Sequence, residues 1–80
     1  MAVYIVDTVA KTRDAYRTID HACQVARTRV QLGRSDRLEI RNALDEILGE
    51  CRAIDRRGVR TVVTDGIVWR PPFVREVTVW

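Results

Sequence analysis

Asp36-Arg37-Leu38-Glu39-Ile40-Arg41-Asn42-Ala43-Leu44-Asp45-Glu46-Ile47-Leu48-Gly49-Glu50-Cys51-Arg52-Ala53-Ile54 is the stretch on which the fold turns. Ile40, Leu44, Ile47, Cys51 and Ile54 recur in it at spacings of 4, 3, 4 and 3, the period of one face of an α-helix. Asp36 with Glu39 three residues on resembles a capping box with Asp at the cap. Arg56 and Arg57 suit the negative end of a helix dipole, and Gly58 closes the segment. The spacing therefore predicts a helix. Leu38, Asn42, Gly49 and Ala53 would form a stripe on its back. A mid-helix Gly costs ~1 kcal/mol relative to Ala. Close packing of a second helix on small side chains would offset that, so this stripe is the expected self-association surface.

Upstream, Ala15, Ile19, Ala22, Ala26 and Val30 follow spacings of 4, 3, 4 and 4, with Tyr16 and Cys23 widening the stripe. This predicts a first helix from about Thr12, with Asp7, Thr8 or Thr12 as its cap and Gly33 as its C′ residue. A four-residue connection would pack the two helices antiparallel. Before them, Ala2 to Val6 reads as a strand. After them, Val59 to Thr64 reads as another, with Asp65-Gly66 as a hairpin turn setting Thr64 opposite Ile67. Pro71-Pro72 must interrupt the ladder, and Phe73 to Trp80 forms the last strand. The expected fold over residues 1–80 is a single α+β domain, an antiparallel two-helix hairpin on a small, mostly antiparallel sheet, in the order β-α-α-β-β-β.

Composition narrows the function class. Eighty residues with 46% hydrophobic and 31% charged side chains describe one small globular domain, whose stability margin is thin; self-association is a common remedy. No apolar run approaches the ~18 residues of a membrane span, so the expected location is the cytoplasm and the expected partners include no membrane. The basic residues are 13 Arg and one Lys, with a net charge of +3. GC-rich coding explains that skew, and with the small size it suggests an accessory protein of a phage or mobile element from a high-GC host.

Catalytic signals are weak. Cys23 and Cys51 both fall on apolar faces and read as reduced, buried cysteines; one distant His does not complete a zinc site. His21 points away from the apolar stripe, without a partner that would make it a base. No nucleophile, acid–base pair or phosphate loop stands out. The expectation is a non-enzymatic protein-binding module with no cofactor and no metal, associating with itself and with another protein. Trp69, Arg70, Phe73 and Trp80 are its expected partner-binding residues, because aromatics beside a Pro-Pro pair suit an interface anchor.

Gly33-Arg34-Ser35-Asp36-Arg37-Leu38-Glu39-Ile40-Arg41-Asn42-Ala43-Leu44 resembles the turn and second helix of ribbon-helix-helix DNA-binding proteins. That resemblance implies a dimer whose N-terminal strand enters the major groove. Tyr4 and Val6, or their neighbours, would then read bases, with Ser35 at the phosphate-contacting turn. DNA binding, with Arg34, Arg37 and Arg41 on phosphates, is accordingly the alternative function; nucleic acid is not the favoured partner.

Overall fold

The computed structural model describes residues 2–69 and 76–78, the last three as backbone only. Its elements run β1 (Val3–Asp7), β2 (Thr12–Tyr16), α1 (Ile19–Gln31), β3 (Arg37–Asn42), β4 (Ile47–Arg56), β5 (Val59–Gly66) and β6 (Glu76–Thr78). The strands form one sheet in the order β2-β1-β3-β4-β5-β6, every neighbouring pair antiparallel. Since β2 and β3 both oppose β1, they run parallel to each other, and α1 carries the chain over the sheet between them.

This overturns the two-helix hairpin. The described residues hold one helix, and the segment expected to be the second is the β3–β4 hairpin. Its apolar spacing suits a helix, yet Arg37-Leu38-Glu39-Ile40-Arg41 also alternates with period two. As a strand it sends Leu38 and Ile40 together into the core, both fully buried. In a helix, residues two apart diverge by about 200°, which would leave Leu38 in water. The Gly49 penalty also vanishes. Gly49 pairs with Ile40 in the ladder, and a Cβ there would lie 2.5 Å from Val68 and 2.8 Å from the Trp69 indole nitrogen. The close packing that the glycine called for is provided by Val68 and Trp69 rather than by a second helix.

The hairpin turn is built locally. Asn42 Oδ1 accepts the N–H groups of Leu44 and Glu46, while Asp45 takes φ +65°, the left-handed position of a three-residue hairpin loop. A register shift after Ile40 then leaves Leu48 as the extra residue of a β-bulge.

The first helix is shorter than expected. Thr12–Tyr16 is a strand paired with β1, and the cap is Thr18, whose hydroxyl accepts the His21 N–H at 3.1 Å. Gly33 does end the helix, with φ +75°. The Gly33 N–H bonds to Val30 O and the Arg34 N–H to Arg29 O, the paired bonds of a Schellman motif. Asp65-Gly66 is no hairpin turn, since β5 runs through it to pair Gly66 with Gly49. The tight turn is Arg57-Gly58, both at positive φ.

α1 covers one face of the sheet with Ala22, Cys23, Ala26 and Val30. Val3, Ile5, Leu38, Ile40, Cys51 and Val62 meet it from below, and Val68 and Trp69 complete the core. Among the described residues no helix covers the opposite face.

Candidate interaction surface

The open face is paved with charge. Antiparallel register sets Arg37, Glu39 and Arg41 of β3 beside Glu50 and Arg52 of β4 and on the same face as Arg13 of β2, one strand removed, with Asp45 at the turn. Their contacts form one unbroken chain. Arg13 meets Asp45 at 3.1 Å, Asp45 meets Arg41 at 3.0 Å, and Arg41 meets Glu39 at 2.7 Å. Arg37 approaches Glu39 at 3.6 Å and holds Glu50 through Nε at 2.9 Å and Nη2 at 3.2 Å. Arg52 closes the series 4.0 Å from Glu50. Arg13 also lies 4.1 Å above the Tyr4 ring, a cation–π contact.

The chain is anchored at Glu39, whose side chain is only 6% exposed. A carboxylate so desolvated persists because two guanidinium groups flank it. Hydrogen bonds to Glu39, and then to Asp45, hold the Arg41 pKa above its ordinary value. The outer rungs are half-exposed and individually worth little.

The two ends of the strands differ from this face. At the end where β1 stops and β3 starts, Asp7 is the pivot. Its Oδ1 accepts the N–H groups of Val9 and Ala10, and its Oδ2 accepts the Ser35 hydroxyl at 2.9 Å. The Ala10 N–H, helped by Ser35, Val9 and Arg29, outweighs burial and keeps its pKa below the usual carboxylate value. Arg60 ties the same end together, donating to Val30 O and Ser35 O and pairing with Asp36 at 3.1 Å. The exposed large hydrophobic residues among those described are Val9, Ile19, Leu32, Leu44, Ile47 and Ile67. All six lie at strand ends, in turns or at helix termini, and none sits in the middle of the open face.

The residues expected to form sites are scattered. Leu38 is core, Asn42 caps a turn, Gly49 lies under Trp69, and Ala53 is half-buried in β4; they share no helix back. Trp69 is buried on the α1 side, so it is not an exposed anchor, while Arg70, Phe73 and Trp80 lie outside the described residues. Ser35 is bonded to Asp7, and Arg37 and Arg41 belong to the ion-pair chain; only Arg34 of that group stands exposed without an ion pair among the described residues. The ribbon-helix-helix segment is not a helix. Sequence reasoning missed Arg13, Glu39, Asp45, Glu50 and Arg52, whose joining depends on cross-strand register; the charged positions alternating with Leu38 and Ile40 were the available signal.

Cys23 and Cys51 are fully buried and unbridged. Burial pushes their thiols up to about 11 and about 12. Among the described residues no group of three or more His, Cys, Asp or Glu could hold a metal, and no helix is long and apolar enough to cross a membrane. In comparisons with known proteins, no family model, no curated protein and no solved structure matches the chain.

Proposed function

We propose that the chain is a non-enzymatic protein-binding module that works in the cytoplasm and contacts its partners through the ends of its strands. The observation that carries this is the placement of the exposed hydrophobic side chains. Val9 is 87% exposed, Leu44 80% and Ile67 71%. Apolar groups gathered at defined ends, beside a face closed by its own ion pairs, suit protein contacts. Reduced, buried thiols agree with a reducing compartment. The origin as an accessory protein of a phage or mobile element rests on composition alone.

DNA binding fits less well. Its expected phosphate contacts Arg37 and Arg41 already serve Glu39, Glu50 and Asp45, and a phosphate would have to displace those carboxylates.

The test is affinity capture from a lysate of the source organism, with and without nuclease. The double substitution Leu44→Asp with Ile67→Asp should lose the captured protein, while Arg52→Gln on the open face should keep it. Capture that disappears with nuclease, or survives the double substitution, would sink the reading.

A further inference from the structure

Two sets stand out among the described basic residues. Arg13, Arg29, Arg37, Arg41, Arg52 and Arg60 all have carboxylate partners within 4.0 Å. Lys11, Arg34 and Arg57 have none among the described residues; all three are exposed. Lys11 is in the β1–β2 turn, Arg34 follows the helix, and Arg57 is in the β4–β5 turn. Given the strand directions, these three segments emerge at the same end of the sheet.

Lys11 and Arg57 also hold φ of +58° and +55°. A non-glycine residue there is uncommon, and Asn or Gly would serve the turn better. Long cations are therefore placed at two turn tips despite the local backbone preference. Val9 and Leu32 are exposed beside them.

The other end is the complement. Asp20 lies in the first turn of the helix, Glu46 closes the β3–β4 turn, and Asp65 is the next-to-last residue of β5. All three are without an ion pair among the described residues and stand beside the exposed Ile19, Leu44, Ile47 and Ile67. Two opposing charges sit with the cations, Asp55 and the hydrogen-bonded Asp7, and one, Arg17, sits with the acids. Among the described residues, the groups without an ion pair thus sum to +1 at one end (Lys11, Arg34, Arg57 less Asp7 and Asp55) and −2 at the other (Asp20, Glu46, Asp65 less Arg17).

We infer that the occupant of each end is the opposite end of a second copy of this chain, so that the protein associates head to tail through Lys11, Arg34 and Arg57 on one copy and Asp20, Glu46 and Asp65 on the next. Like ends would repel, which disfavours a two-fold dimer through either end. A head-to-tail contact uses two different patches and leaves a free one on every added copy, so it closes into a ring or continues as a chain. Apolar side chains at both ends would supply contact area, and the charges would fix polarity.

This inference rests on the strand-end reading above, and charge exchange separates the two. Light scattering on the full chain across a concentration series should give a mass above 9.2 kDa that rises with concentration and falls as salt rises. Lys11→Glu with Arg57→Glu should give a folded monomer, as should Glu46→Lys with Asp65→Lys, each checked by thermal melting. An equimolar mixture of the two variants should recover the larger mass, and the fourfold variant should recover it alone. A wild-type mass of 9.2 kDa at several hundred micromolar overturns the inference. So does association that persists in either reversed variant, or a mixture that stays monomeric. If another protein is still captured by these monomeric variants but not by Leu44→Asp with Ile67→Asp, the strand-end reading survives whatever happens to self-association.

Discussion

The two faces of the central strands are closed to solvent by different means. Beneath α1, Leu38, Ile40, Cys51 and Val62 are fully buried and in apolar contact. On the reverse of the same strands, Arg37, Glu39, Arg41, Glu50 and Arg52 cover the backbone with ion pairs. The first means is non-directional and scales with area; the second depends on register, since each guanidinium must find its carboxylate across or along a strand. A small sheet whose described residues supply one helix, on one side, can thus turn its other side to solvent without presenting an apolar plane to aggregate. The cohesion should be strongly unequal, and substitutions on either face measure the inequality.

The largest effect is expected on the covered face. Trp69→Ala removes a side chain only 4% exposed, and such truncations cost ~3–5 kcal/mol, a large part of what a domain of this size has. Chemical denaturation should show that loss or no folded protein at all; an unchanged midpoint would mean that Trp69 is not core. Gly49→Ala comes next. Its new methyl would require Val68 and Trp69 to move, which places it among overpacking changes costing ~1–3 kcal/mol. Equal stability of the alanine variant would show that the packing over Gly49 is loose.

How legible these faces were depended on how local their determinants are. The end of α1 could be read because its cap is formed within a few residues of Gly33. β5 could be read from the β-branched run Val59 to Thr64. The segment from Asp36 to Ile54 could not, because Ile40, Leu44, Ile47, Cys51 and Ile54 fit a helical period although the structure exposes Leu44 and Ile47. The bulge at Leu48 hid the competing alternation, and tertiary burial of Leu38 beside Ile40 decided the outcome. Arg57-Gly58 ahead of that β-branched run was the overlooked hairpin signal. The ion-pair chain had no local signature, since Arg13 and Asp45 are 32 residues apart.

The covered face should also respond to alkali. Both thiols titrate near 9 when unfolded, but burial raises them to about 11 and about 12 in the fold. Their contribution is complete below pH 9 and is lost as pH rises toward those values, because the unfolded chain ionises first. By pH 11 the loss should be on the order of 2 kcal/mol per thiol. Cys23→Ala with Cys51→Ala should show a much flatter alkaline limb in melts; a limb identical to wild type would mean the thiols are accessible. Asp7 supplies the acid counterpart. Its depressed pKa gives stability that is present above pH 4 and lost as pH falls through the folded value. Asp7→Asn should remove that part of the acid limb and leave the alkaline one intact.

The smallest effects belong to the open face, where the ion-pair chain has a buried centre and an exposed rim. Arg41→Met deprives Glu39 of its 2.7 Å partner and leaves Arg37 at 3.6 Å to neutralise a side chain that is 6% exposed. Stripping one partner from a desolvated charge is strongly unfavourable, but Arg41 is itself 22% exposed and water can enter beside it, so ~1–2 kcal/mol is the expected loss. Arg52→Met removes only a 4.0 Å contact between half-exposed groups, and its cost should stay below ~0.5 kcal/mol. Raising salt should shrink the second difference further and leave most of the first, because screening acts on solvated charges rather than buried ones. Denaturation midpoints of the two variants at low and high salt make the measurement. Equal losses would mean that the chain is uniformly solvated, with cohesion confined to the helix-covered side; a gap of tenfold or more in the folding constant would show that Glu39 gives the open face a small buried core of its own.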